Sequence, residues 1–392
     1  MKEYFGRPIK KLGFGLMRLP RQGNNESAPI DIGRLCEMVD LYLERGFTYF
    51  DTAYVYHSGN SEVAFKEAVS KRYPRDAFQI TSKLPLWGPV NMEKMRAITD
   101  ESLARAGLDF FDLYFLHGVG PDRMPMLDEI GAWDYLQMLK AEGKAQNVGF
   151  SYHGDAAGLE RVLSARKPGE IDIVQLQINY LDWESPTIQS RLCYETARAH
   201  DVGIIVMEPV KGGSLSNFTP EVAEIFKSVS SDASLASWAM RFTLGLEGVL
   251  NVLSGMSNME QLIDNMDTTD NFVPLSAQDL KLLEAAKAAI EALDTIPCTN
   301  CGYCLDDCPE HINTPRIIGV LNEYEKYRNL RSSSRQYEFA TGGWPAGASS
   351  GASKSSDCTA CGTCEDHCPQ DIAIIEAHKK AAALFEQEHV DD

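Results

Sequence analysis

The chain has 392 residues, of which 44% are hydrophobic and 24% charged, and its formal net charge at pH 7 is −19. An acidic excess of this size argues against nucleic acid as a partner, because a phosphate backbone would be repelled. No apolar run is long enough to span a bilayer, and residues 1–11 lack the apolar segment of a secretion signal. These features favour a cytoplasmic protein, long enough for a large domain and a smaller one.

Short apolar runs rich in β-branched residues alternate with amphipathic stretches of helical length through the first part of the chain. The predicted strands are residues 12–16, 47–50, 78–83, 111–116, 147–151, 173–178, 203–207 and 249–253. The predicted helices are residues 32–44, 61–72, 91–106, 126–142, 155–166, 185–200, 233–243 and 259–267. Eight such units predict an α/β fold, a closed (β/α)8 barrel. An open doubly wound sheet is the alternative, but Gly13 and Gly15 lack the third glycine and the following helix of a dinucleotide-binding loop.

Polar residues follow several of these strands, where the chemistry of a (β/α)8 barrel is located. Their arrangement resembles the aldo-keto reductase family over about residues 8–290. The matching motifs, in the family's order and spacing, are Asp51-Thr52-Ala53 with Tyr56, Ser61-Glu62, Lys83 and Leu116-His117.

The resemblance implies a catalytic tetrad. Tyr56 would protonate the carbonyl oxygen of a small-molecule substrate as hydride arrives at the carbon. Lys83, held by an ion pair with Asp51, would lower the pKa of the Tyr56 phenol. His117 would hydrogen-bond the substrate oxygen and orient it.

A nicotinamide cofactor is also implied by the resemblance. The predicted cofactor-binding residues are Ser151, Gln175, Met207, Gly212, Ser254, Gly255, Ser257, Gln261 and Asn265. Residues 254–261 contain no cation for a 2′-phosphate, which favours NAD(H) over NADP(H). Tyr152 stands where the family often has Asn, and Met207 where it stacks a Tyr on the nicotinamide. FMN therefore stays open, with its phosphate near Gly212 and Gly255.

Eight of the ten cysteines form two runs of identical spacing near the C-terminus. They are Cys298-x2-Cys301-x2-Cys304-x3-Cys308 and Cys358-x2-Cys361-x2-Cys364-x3-Cys368, each followed by proline. This spacing is typical of two [4Fe–4S] clusters in which the fourth cysteine of each run ligates the other cluster. The predicted ligand groups are Cys298, Cys301, Cys304 and Cys368 for one cluster, and Cys358, Cys361, Cys364 and Cys308 for the second. A disulfide framework suits short secreted chains and zinc takes ligands in two pairs, so both fit less well.

Residues 291–392 contain 17 acidic and 8 basic residues, and such a surface could steer a basic redox partner. Helices are predicted over residues 314–327 and 371–387, with a Ser-, Gly- and Ala-rich loop over residues 331–356. This segment resembles the α-helical ferredoxin domains that feed electrons to larger redox enzymes. We therefore predict a barrel domain over residues 1–290 and a ferredoxin-like domain over residues 291–392.

Three functions fit these features. The first is an iron–sulfur oxidoreductase that interconverts a carbonyl and an alcohol and exchanges electrons through its clusters. The second is a conventional NADH-dependent reductase whose clusters are structural or sensory. The third is an electron-transfer module in which the barrel is a docking scaffold, and the complete tetrad argues against it. Trp87, His57 and Trp344 are further candidates for the substrate pocket.

Overall fold

Eight parallel strands form a closed barrel in the computed structural model, in chain order, with the first strand paired to the last. The strands are β1 (Leu12–Gly15), β2 (Tyr49–Asp51), β3 (Gln79–Pro85), β4 (Phe111–Val119), β5 (Ala145–Tyr152), β6 (Ile173–Gln177), β7 (Gly203–Met207) and β8 (Val249–Gly255). The predicted (β/α)8 barrel is confirmed. The open sheet is excluded because β1 and β8 are hydrogen-bonded to each other.

The structure describes residues 6, 8–23, 28–86, 90–230, 232–293, 295–305, 308–342 and 353–387. The chain divides into two compact units. The first comprises Met1–Lys211 and Ala236–Ser276, and the second comprises Gly212–Leu235 and Ala277–Asp392. The domain boundary between residues 290 and 291 stays a prediction. Among the described residues, no helix combines the length and the apolarity that a membrane crossing requires.

Helices follow the strands in the sequence, as the amphipathic stretches predict. The helices that begin within the first 276 residues are α1 (Ile32–Glu44), α2 (Asn60–Phe65), α3 (Met92–Ala106), α4 (Met124–Glu129), α5 (Ala132–Ala141), α6 (Ala156–Ser164), α7 (Ser190–Ala199), α8 (Pro220–Lys227), α9 (Leu235–Leu244) and α10 (Met259–Asp270). The later helices are α11 (Ala277–Glu291), α12 (Thr314–Tyr327), α13 (Leu330–Ala340), α14 (Thr363–Asp366) and α15 (Ile374–Phe385).

The barrel separates two apolar clusters because neighbouring residues of a strand point to opposite faces. Along β4, Leu113 and Phe115 belong to the cluster inside the barrel. Tyr114 and Leu116 belong to the larger cluster that also contains the buried faces of the surrounding helices. The strands therefore have both faces buried, which explains why they read in the sequence as continuous apolar runs.

Close strand packing at Gly149 provides a test of the barrel. A Cβ atom at this position of β5 would lie 1.8 Å from the carbonyl oxygen of Ile173 on β6. Gly149→Ala is therefore expected to lower the free energy of unfolding by about 3 kcal/mol or more, measured by urea denaturation. Gly33→Ala in α1 is the control, because its Cβ would meet only a side chain at 3.4 Å. Equal stability of the two variants would contradict the strand register.

One segment of the second unit is helical where the sequence predicts a loop. The predicted loop over residues 331–356 is helical at its start, where α13 spans Leu330–Ala340. The Asn329 side chain accepts a hydrogen bond from Ser332 N at 3.1 Å and so caps the helix. Ser333 and Tyr337 are buried on one face of α13. Packing of this face outweighs a composition typical of loops. Residues 343–352 lie outside the described residues.

Candidate functional site

A buried ion pair joins the ends of β2 and β3. Lys83 Nζ donates to Asp51 Oδ1 at 2.5 Å and to the carbonyl oxygen of Thr52 at 2.8 Å. The side chains of Lys83 and Asp51 are 0% and 5% exposed. A third bond, 3.5 Å long, runs from Lys83 Nζ to Tyr56 Oη. The lysine charge is thereby held against the phenol and balanced by one carboxylate.

Tyr56 and His117 complete this group. Their rings meet edge to face, with centroids 5.7 Å apart and planes at 81°. The chain turns sharply after Tyr56 because His57 and Ser58 both have left-handed backbone angles, with φ of 51° and 54°. This conformation costs about 1–2 kcal/mol for each such residue. The structure thus brings together all four residues of the predicted tetrad.

Burial controls the pKa of the phenol. It raises the pKa of Tyr56, and Lys83 lowers that pKa by a smaller amount. The prediction that Lys83 lowers the Tyr56 pKa is correct as one contribution, but the net direction is upward because the ring is desolvated. A protonated phenol at neutral pH is the form that can donate a proton.

His117 is neutral in this environment. Burial holds its pKa well below the usual value, and the nearby Lys83, His153 and Arg123 lower it further. A neutral imidazole can hydrogen-bond an oxygen without adding a charge to the site. Lys83 stays charged, because Asp51 and Tyr56 outweigh the effect of burial and raise its pKa.

Two of the predicted cofactor-binding residues lie beside the tetrad. Gln175 Nε2 donates to Asp51 Oδ2 at 3.0 Å. Ser151 Oγ accepts from Gly118 N at 2.8 Å, one residue after His117. Gln175 is therefore held by a member of the tetrad, and Ser151 by the backbone next to another member.

The other predicted residues of the first unit lie at the ends of β7 and β8, in the turn after β8, and on α10. Asn265 Nδ2 donates to Ser254 Oγ at 2.9 Å, while no described residue donates a hydrogen bond to the buried Asn265 Oδ1. A buried acceptor of this kind fits the amino group of a nucleotide base. Gln261 Oε1 accepts from Ser257 N at 2.8 Å, and Met207 ends β7.

Gly255 and Gly212 have different surroundings. Gly255 ends β8, and the side chain of Arg18 lies 3.1 Å from where a Cβ on Gly255 would be. Gly212 lies in the second unit, with φ of 64°. Its part in cofactor binding stays a prediction. Trp87 and Trp344 lie outside the described residues, and His57 Nδ1 is 2.6 Å from Arg21 Nη2.

Three residues near the tetrad are absent from the predicted site, although Glu208 stands in the sequence directly after the seventh predicted strand. Arg123 and His153 act on His117 electrostatically, and Glu208 raises the pKa of Tyr56. His153 and Glu208 directly follow β5 and β7, and Arg123 lies in the turn after β4. Their positions just beyond strand ends, where a (β/α)8 barrel carries its chemistry, are the signal in the sequence that points to them. Arg18 was missed because it follows β1 and approaches β8 only in the closed barrel.

Electrostatic effects among the cysteines of the second unit follow the two predicted ligand groups. Burial raises the pKa of Cys304, and charges on Cys298, Cys301 and Cys368 raise it further. Burial likewise raises the pKa of Cys364 to about 11, with contributions from Cys358, Cys361 and Cys308. A cavity is lined by Cys308, Cys358, Cys361 and Cys364 together with apolar Ile312 and Ile375. Four thiols around one cavity fit the chemistry of a cubane cluster, which takes one thiolate at each iron.

A match over most of the chain identifies the protein family. Residues 11–288 match the model of the aldo/keto reductase family, and the chain belongs to this family. Residues 297–373 match the 4Fe-4S dicluster domain. The protein is therefore an aldo-keto reductase oxidoreductase with a dicluster iron–sulfur domain.

Similar proteins are reductases and dehydrogenases. The chain is 25% identical over 297 residues to an NADH-specific methylglyoxal reductase of Escherichia coli strain K12, covering 64% of this chain and 88% of that protein. It is 24% identical over 318 residues to L-galactose dehydrogenase of Arabidopsis thaliana, covering 74% and 93%. An aldo-keto reductase of Bacillus halodurans in its holo form has a TM-score of 0.58 at 23% identity, covering 71% and 92%. One from Klebsiella pneumoniae in complex with NADPH has a TM-score of 0.56 at 19% identity, covering 71% and 90%. At these identities the two solved structures show a shared fold.

Proposed function

We propose that this oxidoreductase interconverts a carbonyl and an alcohol at the tetrad and exchanges electrons through two [4Fe–4S] clusters. The observation that supports the first half is the contact of the buried Lys83 with Tyr56, whose ring meets that of His117. A neutral acid, a fixed cation and a hydrogen-bonding imidazole are the groups that carbonyl reduction needs around the substrate oxygen.

Each side chain has a separate role in the proposed reaction. His117 orients the carbonyl oxygen, and Tyr56 Oη gives that oxygen its proton. Lys83 stabilises the phenolate that remains, and Asp51 balances the lysine charge when the phenol is neutral. In the direction of alcohol oxidation the phenolate accepts the proton. A nicotinamide supplies or accepts the hydride when it is bound.

The proposed cofactor is NAD(H). Ser151 and Gln175 would hold the nicotinamide end, and Asn265 with Gln261 the adenine end. The absence of a cation from residues 254–261 supports NAD(H), as does the NADH specificity of the Escherichia coli relative. Arg18 packs over Gly255 and is the cation to replace if NADPH proves to be used. FMN has no support from the relatives and stays an untested alternative.

Oxidation of one hydride equivalent releases two electrons and one proton, and two clusters can together hold the two electrons, since each accepts one. Because a nicotinamide gives up its electrons as a pair, this transfer needs a carrier that passes them singly, which a bound flavin would supply. We propose that the clusters hold these electrons for a redox partner with a basic surface, which the acidic residues of the second unit would attract. The competing function is a conventional reductase whose clusters are structural or sensory.

Anaerobic purification tests the proposed function. Small molecules released on denaturation are identified, and a panel of aldehydes and ketones that includes methylglyoxal is assayed with NADH and NADPH. We expect carbonyl-dependent oxidation of NADH. Released flavin together with bleaching of the cluster absorbance by NADH would support electron exchange through the clusters. Carbonyl turnover without bleaching, while dithionite does bleach the clusters, would favour the conventional reductase. Failure to oxidise either cofactor with any carbonyl would contradict the proposal.

In the predicted ligand groups the fourth cysteine of each run binds the other run's cluster. This arrangement predicts which pairs of cysteine substitutions damage one cluster and which damage both. Cys308→Ser with Cys364→Ser removes two ligands of one cluster, and about four irons per chain are expected to remain. Cys308→Ser with Cys304→Ser damages both clusters, and almost no iron is expected. Cys193→Ser, outside the cysteine runs, is the control and should keep about eight irons. The reverse order of the two double variants would show that each run binds its own cluster.

A further inference from the structure

The two cysteine runs belong to an internal repeat with an offset of 60 positions. Three pairs of equivalent residues share left-handed backbone angles: Asn300 and Ala360 with φ of 57° and 55°, Gly302 and Gly362 with 84° and 84°, and His311 and Asp371 with 53° and 49°. The two runs therefore share left-handed backbone turns at three equivalent positions. A repeat position that differs in polarity distinguishes one cluster environment from the other.

Two buried positions of the repeat differ in polarity. Ile318 on α12 and His378 on α15 occupy equivalent positions of the repeat and are 1% and 2% exposed. Ile318 packs in the apolar core of the second unit. His378 Nε2 lies 3.0 Å from Thr314 Oγ1, and its Nδ1 lies 3.1 Å from Ser355 Oγ. Thr314 also differs from its own counterpart, the buried Ile374.

The polar group lies at one of the two predicted clusters. His378 and Thr314 line the cavity of Cys308, Cys358, Cys361 and Cys364. Glu310 also lines it, where the repeat has Gln370, but Glu310 is partly exposed and solvent screens its charge. The positions that correspond to them in the repeat, Ile318 and Ile374, are apolar. The environment of this cluster therefore contains an imidazole and a hydroxyl where the repeat places two isoleucines for the other cluster.

Polar side chains that line the cavity affect the reduction potential of the cluster bound there. Reduction adds one negative charge to a cluster that four thiolates already make negative, and the potential depends on net charge, hydrogen bonding and solvent exposure. Hydroxyl groups can rotate and an imidazole can exchange its tautomer in response to that charge. Isoleucine has no dipole that can reorient toward the added charge, and an apolar shell lowers the local dielectric constant.

We propose that His378, together with Thr314 and Ser355, gives the cluster of Cys308, Cys358, Cys361 and Cys364 the higher reduction potential of the two. An electron that enters the second unit then resides first on this cluster, and the second electron occupies the cluster of Cys298, Cys301, Cys304 and Cys368. This inference rests on the predicted ligand groups and does not depend on the substrate of the barrel.

Potentiometric titration of the full chain, followed by electron paramagnetic resonance, tests the order of reduction. We expect two one-electron steps in the unsubstituted protein. In His378→Ile the step at higher potential should move downward by about 59 mV, a tenfold fall in the ratio of reduced to oxidised cluster at fixed potential. The other step should not move. Ile318→Val, at the equivalent position, is the matched control and should shift neither step.

Two further variants keep the test decisive. The double variant Cys308→Ser with Cys364→Ser should retain only the lower-potential step, which assigns the steps to the clusters. If His378→Ile loses iron, Thr314→Val removes one hydroxyl and should shift the same step downward by a smaller amount. Identical potentials in the unsubstituted protein, retention of the higher step in the double variant, or no shift in an iron-replete variant would overturn the proposal.

Discussion

Replacing Tyr56 with phenylalanine is expected to lower kcat for carbonyl reduction by about 10²–10⁴-fold, which is the usual contribution of a general acid. The substitution removes the hydroxyl that Lys83 contacts but leaves the ring that packs against His117. Protein fold, iron content and NADH binding should therefore be unchanged. Steady-state kinetics with the best carbonyl substrate measure the effect.

Tyr54→Phe is the matched control for this prediction. Tyr54 lies two residues earlier, and its hydroxyl donates to Glu101 Oε2 at 2.7 Å instead of facing the tetrad. Removal of that hydroxyl should change kcat by less than a few-fold. Equal activity of Tyr56→Phe and the unsubstituted enzyme would show that another group supplies the proton.

Lys83→Met is expected to reduce the free energy of unfolding by about 3–5 kcal/mol, because it leaves the Asp51 carboxylate buried without its cation. Urea denaturation followed by circular dichroism measures the loss. The double variant Asp51→Asn with Lys83→Met should regain part of it, since the unpaired charge is removed as well. Lys140→Met is the control, because its ion pair with Asp172 is partly exposed and is expected to be worth about 1 kcal/mol or less.

The same substitution is expected to change the pH dependence of the residual activity. Lys83 lowers the pKa of Tyr56, so without the lysine the phenol stays protonated to a higher pH. The alkaline limb of kcat/KM should therefore move to higher pH while its plateau falls. A limb that moves to lower pH would mean that Lys83 does not act on the phenol through its charge.

Most of the fold could be predicted because periodicity along the chain is a local property. Each apolar run predicts a strand and each amphipathic stretch a helix, without knowledge of what packs against them. The helix α13 is the informative exception. Its serines suggest a loop, and only the burial of Ser333 and Tyr337 in the second unit makes the segment helical. Helix α4 and helix α5 were likewise predicted as one helix, and Gly131 with φ of 68° separates them.

The sequence by itself determined the chemistry that depends on residue type and spacing: the eight cysteines, the tetrad residues and the alternating pattern of the barrel. Tertiary structure alone decided the properties that depend on burial and on approach between distant positions. Burial raises the pKa of Tyr56 and lowers that of His117. The closed barrel brings the Arg18 side chain next to Gly255. The contact of His378 with Thr314 and Ser355 also joins separate segments of the chain. Desolvation and long-range contact are consequences of packing, and a linear pattern does not contain them.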